Sequence, residues 1–161
     1  GARRGEQRPV RLEEAVALHA IAVTFPDLPH SGRWRRKAAR IVSEEMDRQV
    51  HDDGSHFEQS SYYHVYAVDM FAFHAILENT DERYRRKLTR MAEYLIALLG
   101  PERRLVFLGD DDGGRMFHPY GRRDEFGRGT VALCSARYVT ASMQVGPSPA
   151  RARATPSRGA P

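Results

Sequence analysis

Residues 61–77 read SYYHVYAVDMFAFHAIL, and in that stretch Val65, Tyr66, Val68, Met70, Phe71, Phe73, Ile76 and Leu77 leave no wide polar face. Only His64, Asp69 and His74 interrupt the apolar surface, so a helix here must be covered on several sides. Its neighbours therefore decide the architecture. Upstream, Leu12 to Phe25 is also apolar on most sides through Ala15, Val16, Leu18, Ile21 and Val23, and Pro26 bars its continuation. Between the two, Trp34, Ala38, Ile41, Val42, Met46 and Val50 form a single stripe, with Arg35, Arg36, Arg40, Glu44 and Asp47 largely away from it and Ser31 as a candidate cap. Downstream, Asp81 to Leu99 again shows one stripe, of Tyr84, Leu88, Met91, Leu95 and Leu98. Thr130 to Met143 has few charges and carries Val131, Leu133, Cys134, Tyr138 and Val139.

The order is inner, outer, inner, outer, inner. A weak repeat agrees with it: His19-Ala20-Ile21 followed by Trp34-Arg35-Arg36-Lys37 is echoed by His74-Ala75-Ile76 followed by Tyr84-Arg85-Arg86-Lys87. The expected fold is all-α, built of antiparallel helical hairpins that alternate inner and outer helices. Such hairpins stack into an open solenoid or a closed toroid, and the pattern does not choose between them. Two and a half hairpins cannot close a ring, so apolar surface should be exposed at the ends, with a tendency to self-associate.

The formal charge of +4 invites a polyanion partner, but its location matters. Residues 1–11 and 144–161 each carry three net positive charges, which leaves about −2 for residues 12–143 and no overall basic character that favours nucleic acid. The head, 1–11, and the Pro/Ala/Arg tail, 144–161, are too poor in apolar residues to offset ordering entropy and are expected to be disordered around a folded unit at 12–143. No apolar run approaches a membrane span, and the opening residues lack the apolar core of a signal peptide. The single cysteine, Cys134, sits in an apolar stretch and reads as core. His19 and His74, inside apolar helices, read as satisfied core histidines.

Two segments carry chemistry. The first runs from Asp52 to Tyr66: Asp53-Gly54 supplies a turn, Ser60 or Ser61 can cap the following helix, and amides at that end suit an anion such as a sugar carboxylate. Tyr62 and Tyr66 share a face one turn apart, while Tyr63 and His64 project at other angles. Read as core, these aromatics have their hydroxyls satisfied. Read as a site, a tyrosine can remove the poorly acidic proton beside a uronate carboxylate and protonate a leaving oxygen, provided that a nearby cation lowers its pKa. His56, Glu58, Gln59 and His64 are the local candidates to assist. The second segment, Leu105 to Asp124, holds Asp110, Asp111 and Asp112. It fits neither the calcium-loop nor the phosphate-loop spacing, so no metal is assigned, and the acids are expected to orient Arg115, Arg122 or Arg123 toward an anionic sugar. A hydrolase would need two carboxylates across a cleft, and Glu58 with Asp110 is the visible pair.

The string Asp53-Gly54-Ser55-His56-Phe57-Glu58-Gln59-Ser60, followed by Tyr63-His64, closely resembles the tyrosine-bearing motif of heparinase II/III-like polysaccharide lyases, and Gly109 to Arg115 with His118-Pro119-Tyr120 resembles a later stretch of their helical domain. The resemblance covers about Leu12 to Ala136. It implies an incomplete (α/α) toroid, an acidic, uronate-containing polysaccharide of the heparan sulfate or alginate type as substrate, and β-elimination with Tyr63 as base. His64 and His56 would stand beside it, and Glu58, Gln59, Tyr62, Tyr66, Arg115 and Arg122 would contact the sugar. It also implies a periplasmic or secreted protein, no nucleic-acid or membrane partner, and no cofactor in this segment. The relatives' Asn/His motif is not matched, since residues 7–12 read Gln-Arg-Pro-Val-Arg-Leu, and the β domain that bears their catalytic histidine and structural zinc is missing from this length. The expectation is a chain inactive by itself. The alternative is a noncatalytic helical module that binds a glycan or a protein.

Overall fold

The structure, a computed structural model, describes residues 11–117 and 121–138. Within them lie α1 (Leu12–Thr24), α2 (Ser31–Gln49), α3 (Ser61–Leu77), α4 (Glu82–Leu99) and α5 (Phe126–Tyr138), the last entered through a 3-10 turn at Arg123–Glu125. The described residues hold no strand beyond one isolated bridge between Val50 and His56. α1 packs on α2 and α3 on α4 as two hairpins, and α3 touches each of the other four helices, as its all-round apolar surface requires. No helix among the described residues is long and apolar enough to cross a membrane.

Capping residues set the helix starts. Ser60 Oγ accepts the amide of Tyr63 at 3.3 Å ahead of α3, and Asp81 Oδ1 accepts that of Tyr84 at 2.7 Å ahead of α4. Ser31 is not a cap. It lies inside the first turn of α2, and its hydroxyl donates to the Ala22 carbonyl at 2.7 Å, pinning the start of α2 to the end of α1. α5 begins at Phe126 instead of Thr130, because Gly127 lets the first turn approach α4: a Cβ there would stand 3.2 Å from Leu95 and 3.3 Å from Leu99. The expected end of this helix beyond Tyr138, the head up to residue 10 and the tail from 144 lie outside the described residues.

Phe71, Met46, Leu88 and Met91 are fully buried where the two hairpins meet, each contributing roughly 2 kcal/mol by leaving water. The repeat-related histidines also meet there. The rings of His19 and His74 lie 4.5 Å apart, and His19 Nε2 is 2.9 Å from Glu78, which Arg35 grips through both oxygens at 2.9 and 3.0 Å. Arg35 holds the Glu78 carboxyl down at about 2, against some desolvation. Ile21, Phe25 and Leu28 stay exposed along the α1 edge, as does the run Val106, Phe107 and Leu108, matching the open apolar edges expected of an incomplete hairpin array.

Candidate functional site

The Asp52–Tyr66 segment is locked before it reaches α3. Asp53 Oδ1 accepts both the amide and the hydroxyl of Ser55, and Gly54 takes φ 88°. The run 105–110 then crosses the start of α3: the amide of Ser61 donates to the Leu108 carbonyl at 3.0 Å, and Ser60 Oγ donates to the Asp110 carbonyl. The amides of Ser61 and Tyr63 are thus used by the chain itself, the first by the Leu108 carbonyl and the second by the Ser60 cap.

Tyr63 and His64 separate, being one residue apart and about 100° apart around the helix. Tyr63 is half-buried on the side of the aspartate loop, with Tyr66 and Glu58. Partial desolvation, the charges of Asp112 and Asp110 and a hydrogen bond to Asp112 raise the Tyr63 pKa above its ordinary value. Burial and the charges of Glu13 and Asp112 raise Tyr66 and Glu58 in the same way. Among the described residues the charges acting on Tyr63 are those of acids, and they favour the protonated phenol.

His64 is buried on the other side. Its Nε2 lies 3.0 Å from the Met91 carbonyl of α4 and its ring stands edge-on to Tyr94, so its pKa is lowered by burial. His56 is also buried, with Nε2 2.9 Å from Gln49 Oε1, and burial pushes it to about 4. Both imidazoles face a crevice of about 20 Å³ lined by Tyr94, Leu98 and Leu108, too small for a sugar. Each imidazole joins a loop or helix start to its neighbour, His56 to the end of α2 and His64 to α4. Gln59 is exposed at φ 53° in the turn before α3.

Among the arginines, the one oriented by the acid run is Arg123. It forms a bidentate pair with Asp111, and its guanidinium lies 4.8 Å over the ring of Tyr62. Arg122 instead pairs with Asp124 at 3.2 Å, and Arg115 is exposed, 5.4 Å over the ring of Phe126. His118, Pro119 and Tyr120 lie outside the described residues. The Asp110, Asp111 and Asp112 carboxylates each accept an amide of their own turn.

The residue that sequence reasoning passed over is Asp69, a lone acid in an apolar helix. It is 1% exposed, accepts the Thr130 hydroxyl at 2.7 Å and the Phe117 amide, and so ties α5 and the end of the aspartate loop to α3. Burial raises its pKa to about 7. Cys134 beside it is buried and pushed up to about 12, an inert core thiol.

These shifts give stability a pH dependence with opposed signs. His56 and His74 are both held near 4, so between the ordinary imidazole value of about 6.5 and that point the unfolded chain takes up protons that the folded chain refuses. Their contribution is complete above about 6.5 and is lost as pH falls. Asp69 works the other way, since the folded chain keeps its proton up to about 7 and that stabilisation is lost as pH rises from the ordinary carboxyl range. Urea unfolding should show a loss of stability from pH 7 to pH 5 that grows by about 2 kcal/mol in Asp69→Asn, where the opposing effect of the carboxyl is gone. An unchanged slope in that variant would refute the assignment.

Comparison with known proteins gives these residues a context. The chain is 41% identical over 66 residues to a heparin-sulfate lyase of Pedobacter heparinus, covering 41% of this chain and 10% of the relative. It is 32% identical over 60 residues to a heparin-sulfate lyase of Bacteroides stercoris, covering 37% of this chain and 9% of the relative. The crystal structure of heparan sulfate lyase HepC from Pedobacter heparinus superposes with a TM-score of 0.54 at 32% identity, over 62% of this chain and 17% of that one. The chain thus spans about a tenth of the length of these curated relatives, and its fold is an incomplete (α/α) toroid. The family profile described as Heparinase II/III N-terminus matches residues 6–116, well over half of the sequence, and the chain belongs to that family.

Proposed function

We propose that this chain is the tyrosine-bearing part of a lyase that cleaves a uronate-containing polysaccharide, of the heparan sulfate or alginate type, by β-elimination with Tyr63 as the base, and that it does not turn over substrate alone. The observation that carries the reading is the position of Tyr63: a partly exposed residue at the start of the most enclosed helix, on the side that also holds Tyr66, with Asp112, Asp110 and Glu58 near its hydroxyl. A phenol that is to take a proton at neutral pH needs a positive charge to lower its pKa, whereas these acids raise it. The cation, and the group that neutralises the substrate carboxylate, would then come from outside the described residues. Arg115 and the half-buried Tyr66, on the same loop and helix, would contact the sugar.

The test is direct. A protein that continues this chain to the length of its relatives should form unsaturated uronate product from heparan sulfate or alginate, read as a rise in ultraviolet absorbance, and the chain alone should form none. Product from the chain alone, or none from the long protein, refutes the proposal. Burial of both imidazoles favours a second reading, a noncatalytic helical module that binds a glycan or protein. In that case the long protein would bind the polysaccharide and leave it intact.

A further inference from the structure

The outer helix α2 carries Arg33, Arg36, Lys37 and Arg40 at i, i+3, i+4 and i+7, all exposed and opposite the buried Ala38, Val42 and Met46. Four cations on one face is an arrangement that the helix itself resists. They crowd the N-terminal half, where the macrodipole is positive, with no acid in the first turn, and the pairs 33/36, 33/37 and 36/40 set like charges side by side. The parallel helix α4 handles its cations differently. Arg83, Arg85, Arg86 and Lys87 are all paired, with Asp47 or Glu82. On α2, Arg40 pairs with Glu44 at 2.7 Å, but Arg33, Arg36 and Lys37 have no carboxylate partner among the described residues.

Beside the stripe lies a groove of about 430 Å³ lined by Gly32, Arg35, Arg36, Ala39 and Glu78. Gly32 leaves the floor bare under the Arg36 guanidinium, 3.6 Å from where its Cβ would be. Arg35 is fixed to Glu78 by two hydrogen bonds, so the one acid in the groove is already neutralised. Arg36 belongs to both features and joins them into one surface.

We propose that this outer face of α2 is a second polysaccharide-binding surface, separate from the Tyr63 side, that holds a sulfated or carboxylated sugar chain lying along the groove. The ligand class rests on the polysaccharide reading above. The stripe is about 10 Å long, and Glu44, Glu45 and Asp47 follow it directly on α2. A nucleic-acid duplex, with a charge about every 1.7 Å on a broad surface, would lay phosphates on those acids. A single sugar chain, whose anions hang from separate rings, can keep to the stripe. Arginine also matches sulfate and carboxylate through paired N–H groups. The site would keep a long polymer attached while another part of it is processed.

The test is titration of the whole chain with a size-defined heparin oligosaccharide. Arg33→Ser/Arg36→Ser/Lys37→Ser should weaken binding at least about tenfold. These side chains are exposed and have no carboxylate partner among the described residues, so the thermal midpoint should hold or rise. The charge-matched Arg83→Ser/Arg86→Ser/Arg90→Ser should change affinity less than about threefold. Equal losses in both triples would mean a net-charge effect, and no loss in the first would place binding elsewhere, including the basic ends; either result overturns the proposal. So would a DNA duplex that competes as well as heparin. The titration reads binding to the whole chain without turnover, so an inactive long protein would sink the catalytic reading and leave this result standing.

Discussion

Tyr63→Phe, made in a protein that continues this chain to the length of its relatives, is expected to lower kcat about a thousandfold with KM changed less than about twofold. Phenylalanine keeps the ring that packs at the start of α3, so no cavity forms and only the hydroxyl goes. An interaction made only while the proton is in flight disappears from kcat and kcat/KM equally. Initial rates of ultraviolet absorbance over a range of polysaccharide concentrations measure both. Retention of a tenth or so of the parent rate would show that another group is the base, and a rise in KM alone would make the hydroxyl a binding contact.

Gly54→Ala should be the most damaging small change to the fold near the site, costing about 3 kcal/mol or more in urea unfolding. Two penalties add. Gly54 holds φ 88°, a region that side chains rarely enter, and a Cβ there would lie 2.2 Å from the Arg90 carbonyl oxygen and 2.4 Å from its carbon. Those are main-chain atoms of α4 and cannot swing aside, so the loop would have to lift off, carrying the Ser60 cap with it. Gly113→Ala is the internal control: φ is 89° but nothing lies within 4 Å of the added atom, and about 1 kcal/mol of backbone strain is expected. If both variants cost the same, contact with α4 contributes nothing at Gly54.

Much of the architecture was legible because burial writes itself into periodicity. The encircling apolar surface of residues 61–77 gave an inner helix with the bounds later observed, and the single stripes of α2 and α4 gave outer ones. The start of α5 was obscured by Gly127 and Gly129, which look like helix breakers in a sequence, whereas Gly127 here allows close approach to α4. Ser31 has the residue type of a cap and serves as a tie to α1, a contact fixed by tertiary packing. The site was less readable for the same reason. A helix covered on all sides has no polar face to announce which of Tyr62, Tyr63, His64 and Tyr66 looks outward, and the orientation emerged only from what α4 and residues 105–114 place against each. Asp69 was visible as an acid in an apolar run, yet its partners Thr130 and Phe117 are far away in sequence.

The imidazole of His64 acts as a peg between two coils, its ring nitrogen keyed to the main chain of α4 at Met91 while its own backbone carries Tyr63 as the adjoining residue. A sideways slip of α4 would thus be geared directly into a displacement of the phenol. Loosening that peg would misplace the hydroxyl without touching it, as backlash in a gear train misplaces the last wheel.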